Sequence, residues 1–460
     1  MAAIVTNNIK KQLLQSLLND VSVDSSSYYY IGIGRSDQWD ATDTVPTLGN
    51  TEREKRNFRT ALQSIIRATD ASFVASRYNW TSGSIYSAYS DNLNAVQNSA
   101  TYPFYILSDN QRVYICLQQG KTTTGNVTQS TVNPDSIGTG STAVATSDGY
   151  IWKYLFTLSA VRANNFLSAN FLPVSKVDSA NDLTVVETTQ KTVQDAAIAG
   201  SVIGYRVVNA GAGYSSAPTL TVNGNGTGAK AIATLTTAGG IAKVEIDDSA
   251  GGIPFGKDYS YASISFSGSF GAPTTTAVIR PIISNNGIGA DPRDDLGAVG
   301  VMINAKPEGT QNGSFMVDQD FRQIGLIKNP KKNQLIDSDF KGTDARAMNI
   351  LTLTNIDAAF DSEAVRDALI VGATSGAKAR GDELLSNKLH YHFTESDGFI
   401  SFQDGEDVFL DSATGITAEI VTDSAGTIKA FSGEVLYIEN RSAVERNTAQ
   451  TEDIKIIVQL

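Results

Sequence analysis

Cysteine is nearly missing from this sequence: of 460 residues only Cys116 is one. A lone thiol forms no intramolecular disulfide, so nothing in the fold draws on an oxidising compartment. Its setting, Tyr114-Ile115-Cys116-Leu117, reads as a strand with a small core residue; a thiolate nucleophile is disfavoured in apolar surroundings. Histidine is scarce too, with only His390 and His392. A Ser-His-Asp triad would have to use one of them, and no Gly-x-Ser-x-Gly elbow is present. Walker and kinase signatures are absent. Basic stripes are missing as well: 36 Lys and Arg face 48 Asp and Glu, for a net charge of −12. Phosphate contacts supply most of the affinity of duplex nucleic-acid binders, so no direct nucleic-acid partner is expected. No apolar run approaches the ~20 residues of a membrane span, and the N-terminus lacks a signal pattern, so no membrane insertion is expected. Paired carboxylates of the glycosidase kind leave no short motif, and with so many acids a chance pair is certain.

What is present favours β structure. Charged residues make up only 18%, the hydrophobic share is 41%, and Gly, Ser, Thr and Asn are abundant. Aromatic and β-branched residues continue from end to end, which argues for packed cores. The expected fold class is α+β, mainly β: a multi-domain chain with small β-sandwich or barrel-like modules and a few N-terminal helices.

Tyr28-Tyr29-Tyr30-Ile31-Gly32-Ile33-Gly34-Arg35-Ser36-Asp37-Gln38-Trp39 anticipates a buried strand. Two glycines allow close approach, and Trp39 pins the turn that follows. The spacing is wrong for a phosphate loop, and Asp37 puts negative charge where phosphate would sit. Upstream, Ile9, Leu13, Leu14, Leu17, Leu18 and Val21 predict one apolar helix face over residues 6–21. A second helix is expected from Thr51, with Glu54 at capping-box spacing. Phe58, Leu62, Ile65 and Ile66 would line its inner face, and Arg53, Lys55, Arg56, Arg59 and Arg67 would make it basic, as a solvated surface or a docking face for an acidic partner.

Tyr102 to Leu107 and Arg112 to Leu117 predict strands, and 119–147 a long exposed loop. In the next predicted strand Tyr150, Trp152, Tyr154 and Phe156 alternate onto one face, as core, interface or sugar platform. Arg77 and Trp80 form another polar-aromatic cluster. Over 200–285, Gly213-Tyr214-Ser215-Ser216-Ala217 and Asp258-Tyr259-Ser260-Tyr261-Ala262 suggest a two-copy β repeat. Residues 355–432 carry a weaker echo at Ala373–Ala377 and Ala413–Ala418. Strands are also expected at Val299 to Asn304, Phe321 to Lys328, Gly433 to Arg441 and Ile454 to Leu460. On a strand His390 and His392 share a face, as paired metal ligands would, but two ligands do not make a closed site; no metal or other cofactor is expected.

Several segments carry a resemblance in order: Ile33-Gly34-Arg35-Ser36 with Trp39; Arg77 with Trp80; Val113 to Leu117; Asp148-Gly149-Tyr150-Ile151-Trp152-Lys153-Tyr154-Leu155-Phe156; Phe321-Arg322-Gln323-Ile324 with Asn329-Pro330; Gly433 to Asn440-Arg441; and Gln450 to Ile454. Together they resemble the dimeric baseplate wedge subunit of T-even-type contractile-tailed bacteriophages. The resemblance implies a wedge core at 1–199, 291–354 and 433–460, interrupted by inserted β segments at 200–290 and 355–432. It implies a structural virion protein rather than an enzyme, made in the host cytoplasm and assembled into the tail baseplate. The implied partners are a second copy of the chain and other wedge proteins, with host-surface contact possible through the inserts. Arg35, Trp39, Arg77, Trp80, Tyr150, Trp152, Tyr154, Phe321, Arg322, Asn440 and Arg441 then become structural or interface residues. The competing expectation is a host-surface glycan-binding tail protein with the inserts as its binding modules.

Overall fold

A computed structural model of the chain describes residues 4–21, 26–91, 103–179, 181–249, 254–334, 337–429 and 431–460. The architecture is mainly β with few helices, as the composition predicts. The chain divides into two compact units. One comprises Met1–Gln15, Ser72–Met302 and Ile457–Leu460; the other comprises Ser16–Ala71 and Ile303–Ile456.

In the first unit a four-stranded sheet runs Tyr105–Leu107, Arg112–Gln118, Ile151–Thr157, Val144–Ala145. Tyr102 lies outside the described residues. The strand Ile151–Thr157 is buried along nearly its whole length, so both of its faces are covered. Tyr150, Trp152 and Tyr154 pack with Tyr86, Ile106, Tyr114, Cys116 and with Val193 of the helix Val185–Asp195. On the other face Lys153 donates to the Ile288 carbonyl at 2.6 Å.

The stretch 119–147 is largely solvent-accessible, as expected of a loop, but it is structured. It folds back as turns, a bridge between Lys121 and Val127 and a single 3₁₀ turn at Pro134–Ile137. Asp148 gathers it, accepting from the Thr131 and Val132 amides and from the Thr146 hydroxyl. Short polar side chains here close backbone turns at the surface.

The Gly-rich segment forms sheets of its own within this unit. Ser201–Asn209 pairs with Val278–Ser284, and a four-stranded sheet runs Ile241–Ile246, Ala231–Leu235, Thr219–Gly224, Ala262–Ser267. The strands following the two sequence echoes are direct antiparallel neighbours, Thr219 opposite Ser267 and Gly224 opposite Ala262. Tyr214 and Tyr259, at matching positions of the echoes, are both buried, while Tyr261 is exposed.

The second unit holds a five-stranded antiparallel sheet in the order Asp344–Arg346, Leu62–Ala68, Tyr29–Gly34, Gln319–Lys328, Glu434–Arg446. Tyr29–Gly34 is central and wholly buried. Its glycines serve close approach: a Cβ on Gly32 would lie 2.7 Å from Leu62, and one on Gly325, opposite it, 2.3 Å from the Phe58 ring. Phe58 therefore rests on a bed of bare backbone, where any side chain would overpack.

The helix Glu52–Thr60 stops before Leu62, and Leu62–Ala68 is a strand. The apolar spacing 58, 62, 65, 66 fits a helix, but pairing with Tyr29–Gly34 overrides it, in line with the β preference of Ile65 and Ile66. Thr51 caps the helix by accepting from the Glu54 amide at 3.2 Å, while the Glu54 carboxylate accepts from the Gly49 amide at 2.7 Å. The reciprocal bond of a capping box goes to the loop instead. In the first helix, Asn7–Val21, Leu14 and Val21 are buried, but Ile9 and Leu13 are about half exposed. The predicted face is therefore only partly covered.

A closed six-stranded barrel completes this unit: Asn349–Thr354, Lys388–His392, Lys378–Leu385, Leu369–Gly372, Asp407–Leu410, Ala413–Ser424. It starts at Asn349, six residues before the boundary expected at 355. Leu351, Ile370, Leu389, Tyr391, Val408 and Ile420 fill its interior. Closure removes the exposed edges that would otherwise recruit other strands. Among the described residues, no helix is long and apolar enough to cross a membrane.

Candidate functional site

The most concentrated chemistry in the second unit is a buried polar clasp built on Arg35–Asp43. Arg35 leaves the central strand with φ 62°, a left-handed conformation that turns the chain sharply. The turn aims Ser36 and Asp37 at the barrel. Ser36 donates to Asp382 at 2.8 Å, and the other Asp382 oxygen lies 2.7 Å from His392 Nδ1. His392 Nε2 lies 3.6 Å from Asp37. Asp382 and His392 are only 2% and 1% exposed. The interior residues Leu389 and Tyr391 alternate with His390 and His392, which puts both histidines on the outer surface of the barrel.

The two imidazoles have opposite electrostatics. Burial alone would push His392 down, but Asp382 and Asp37 overcome it and raise its pKa to about 10. Burial pushes Asp37 up, and the charge of the nearby His392, assisted by Arg35, more than reverses that, leaving its carboxyl below the ordinary value. His392 is thus an imidazolium held between two carboxylates. Burial, with Arg346 nearby, pulls His390 down to about 4. A neutral imidazole beside a cationic one is not a ligand pair. Asp37 and Asp382 also face opposite ring nitrogens, so they do not converge on one point. Asp397, shortly downstream in sequence, pairs with Arg380 at 3.0 Å instead. Among the described residues, no group of three or more potential ligands could hold a metal ion.

Arg322, 4% exposed, ties the clasp to the sheet. It donates to both oxygens of Asp43 at 2.9 and 3.1 Å, to Asp320, and to the Ser36 carbonyl. Asp43 in turn accepts from the Trp39 amide at 3.0 Å. Trp39 lies under the Arg35 guanidinium, 4.3 Å from ring centroid to Cζ, and its indole N–H donates to the Arg441 carbonyl at 3.0 Å. Asn440 accepts from Gln323 and donates to the Pro46 carbonyl. Phe321 is buried alongside. Six of the predicted residues, Arg35, Trp39, Phe321, Arg322, Asn440 and Arg441, therefore belong to one neighbourhood.

The other five belong to the first unit. Arg77 donates to the Ser168 carbonyl and to Asn79. Trp80 donates to Ser130 and packs on the aromatic core. Tyr150 stacks on Trp152 at 5.8 Å and 15°, and Tyr154 meets Tyr114 edge-on. Tyr150, Trp152 and Tyr154 are essentially unexposed, which rules out a sugar platform on this strand.

Sequence reasoning missed Asp43, Asp382 and the role of Asp37. It also missed Arg446, 2% exposed, which pairs with Glu452 at 2.8 Å and donates to the Met316 and Gly309 carbonyls. A polar triplet directly after a wholly apolar strand was the available signal for Asp37; nothing local marks Asp382. In chemical terms the clasp is closed. Ser36 is spent on Asp382 rather than on the imidazole, so the constellation has an acid–base pair but no activated nucleophile. No protein-family model and no curated protein matches this chain.

Proposed function

We propose that this protein is a structural subunit of a contractile phage-tail baseplate, a wedge component that assembles as a dimer and scaffolds neighbouring wedge proteins in the virion. One observation supports the reading. The segments that carry the resemblance, far apart in sequence, are neighbours in space. Ile33–Trp39, Phe321–Pro330 and Gly433–Arg441 form three adjacent strands and the clasp; Val113–Leu117 and Tyr150–Phe156 are paired strands of the aromatic sheet. The stretches outside the resemblance form the Gly-rich sheets and most of the barrel. A set of matching segments that forms two coherent sheets is what a shared core with added modules requires. The spent Ser36 hydroxyl and the ion-paired His392 fit a structural role.

Light scattering across a dilution series tests this. A concentration-independent dimer that also co-assembles with wedge proteins of the same virion is expected; a trimer or a monomer overturns the dimer. Trp39→Ala removes the platform under Arg35 and the bond to Arg441. It is expected to lower the melting temperature or weaken the dimer, and an unchanged melting temperature and dimer would sink the structural role given to Trp39.

A further inference from the structure

The first unit contains a cleft of about 430 Å³ where the aromatic sheet meets the Gly-rich module. That volume is in the ~300–1,000 Å³ range of small-molecule sites. Its base is a backbone crossing: a Cβ on Gly204 would lie 3.4 Å from the Leu117 carbonyl, so the two strands approach closely. Gln118 spans one wall, donating to Glu245 at 3.2 Å, and Glu245 also pairs with Lys243 at 2.6 Å. Tyr205, held by its hydroxyl on the Lys230 carbonyl at 3.0 Å, supplies an aromatic edge. Arg206 stands exposed at the rim.

Lys121 is the feature that calls for a ligand. It lines the cleft half-buried, and its ammonium has no hydrogen-bond or ion-pair partner among the described residues. Burial lowers its pKa; Glu245 raises it and Lys243 lowers it further. An ammonium partly removed from water and left without an acceptor is a standing cost. Three cations and one already-paired carboxylate make the cleft locally positive in a chain of net charge −12. Beside apolar Leu117, Val207, Val244 and Ile282, the remaining polar groups are amide and hydroxyl, which donate to and accept from alcohols, and carboxylate, which accepts.

We propose that this cleft binds an acidic saccharide, a sugar whose carboxylate pairs with Lys121 while its ring hydroxyls meet Gln118, Tyr205 and Glu245. A bare phosphate or sulfate would satisfy the cation but leave the amide and tyrosine unused. The inference is independent of the wedge assignment: it places sugar recognition on the join between module and sheet, away from the buried aromatic strand.

The test is calorimetric titration of the full chain with a galacturonic acid trisaccharide, the matching neutral galactose trisaccharide and inorganic sulfate. The acidic sugar is expected to bind at least about tenfold more tightly than the neutral one, with affinity falling as salt rises. Lys121→Gln should weaken it about tenfold without lowering the melting temperature, since the lysine has no partner to lose. Glu245→Gln, which removes the competing negative charge, should tighten it; a gain cannot come from misfolding. The proposal is overturned if the acidic sugar does not bind, if the neutral sugar binds equally well, if sulfate competes as strongly as the sugar, or if Lys121→Gln binds like the parent chain.

Discussion

The clasp and the aromatic sheet are both buried, and they are built in opposite ways. In the sheet, each tyrosine hydroxyl is satisfied by a nearby group: Tyr150 donates to the Thr128 carbonyl, Tyr114 to the Gly138 carbonyl, and Tyr154 meets Thr157. Cohesion comes from apolar area and ring contacts, which are tolerant of direction. In the clasp, the main polar contacts reach partners brought from far along the chain: Asp382 accepts from Ser36, and Arg322 pairs with Asp43. Such a site is unforgiving, because removing one partner strands the other without water. The sheet supplies adhesion. The clasp supplies a unique register between the end of strand Tyr29–Gly34 and the barrel.

The three tryptophans make this contrast measurable, since Trp39 belongs to the clasp and Trp80 and Trp152 to the sheet. The largest effects should come from cutting each region at its centre. Arg322→Ala leaves the buried Ser36 carbonyl without its donor and should cost up to about 3 kcal/mol, read from Trp39 in a background with phenylalanine in place of Trp80 and Trp152. Trp152→Ala should cost about 3–5 kcal/mol through lost area and cavity, read from Trp80 in a background without Trp39. If each mutation shifts both signals equally, the two regions melt as one cooperative block and the comparison fails.

A pH titration separates them next. His392 keeps its proton in the folded protein up to about pH 10, against 6.5 for a free imidazole. The stability it contributes is therefore complete below about 6.5 and is lost as pH rises through about 10, on the order of a few kcal/mol. The Trp39 denaturation midpoint should fall from about pH 7 to about pH 9, and His392→Gln should flatten that slope. Over that range the Trp80 midpoint should hold, because burial keeps the sheet tyrosines protonated, Tyr150 up to about 12. A Trp39 midpoint that ignores pH would remove the imidazolium from the clasp.

The smallest expected effect tests whether the first unit carries a charge cost of its own. Asp295 is buried, accepts from the Gly289 amide at 2.7 Å, and is raised by burial to about 7. Its folded form holds a proton that the unfolded chain releases near 3.8, so the contribution is present at low pH and lost as pH rises through 7. Asp295→Asn should therefore raise the Trp80 denaturation midpoint above pH 7 and leave it unchanged near pH 4. A loss at both pH values would mean that the carboxylate is stabilising.

Much of the strand content was legible in the sequence because period and composition agree: Arg112–Gln118, Gln319–Lys328 and Ile454–Gln459 lie where their apolar runs predict. Leu62–Ala68 was misplaced because its apolar spacing suits a helix and only the pairing partner decides. The barrel was legible as a β segment but not as a closed ring, since closure depends on which strands meet rather than on any one of them. Half of the clasp could be read, because Arg35, Trp39 and Arg322 stand beside conspicuous strands. Asp43 and Asp382 could not, because a buried acid in sequence looks the same as an exposed one until its partner is known.

Cys116 lies inside the aromatic sheet, fully buried, its thiol 3.3 Å from the Gln118 carbonyl and pushed well above the ordinary cysteine range by that burial. The native chain therefore carries one chemically silent sulfur at the heart of its most cohesive region. An alkylating reagent can reach it only when the sheet opens, so the rate of labelling is a clock for that opening, and it needs no engineered probe.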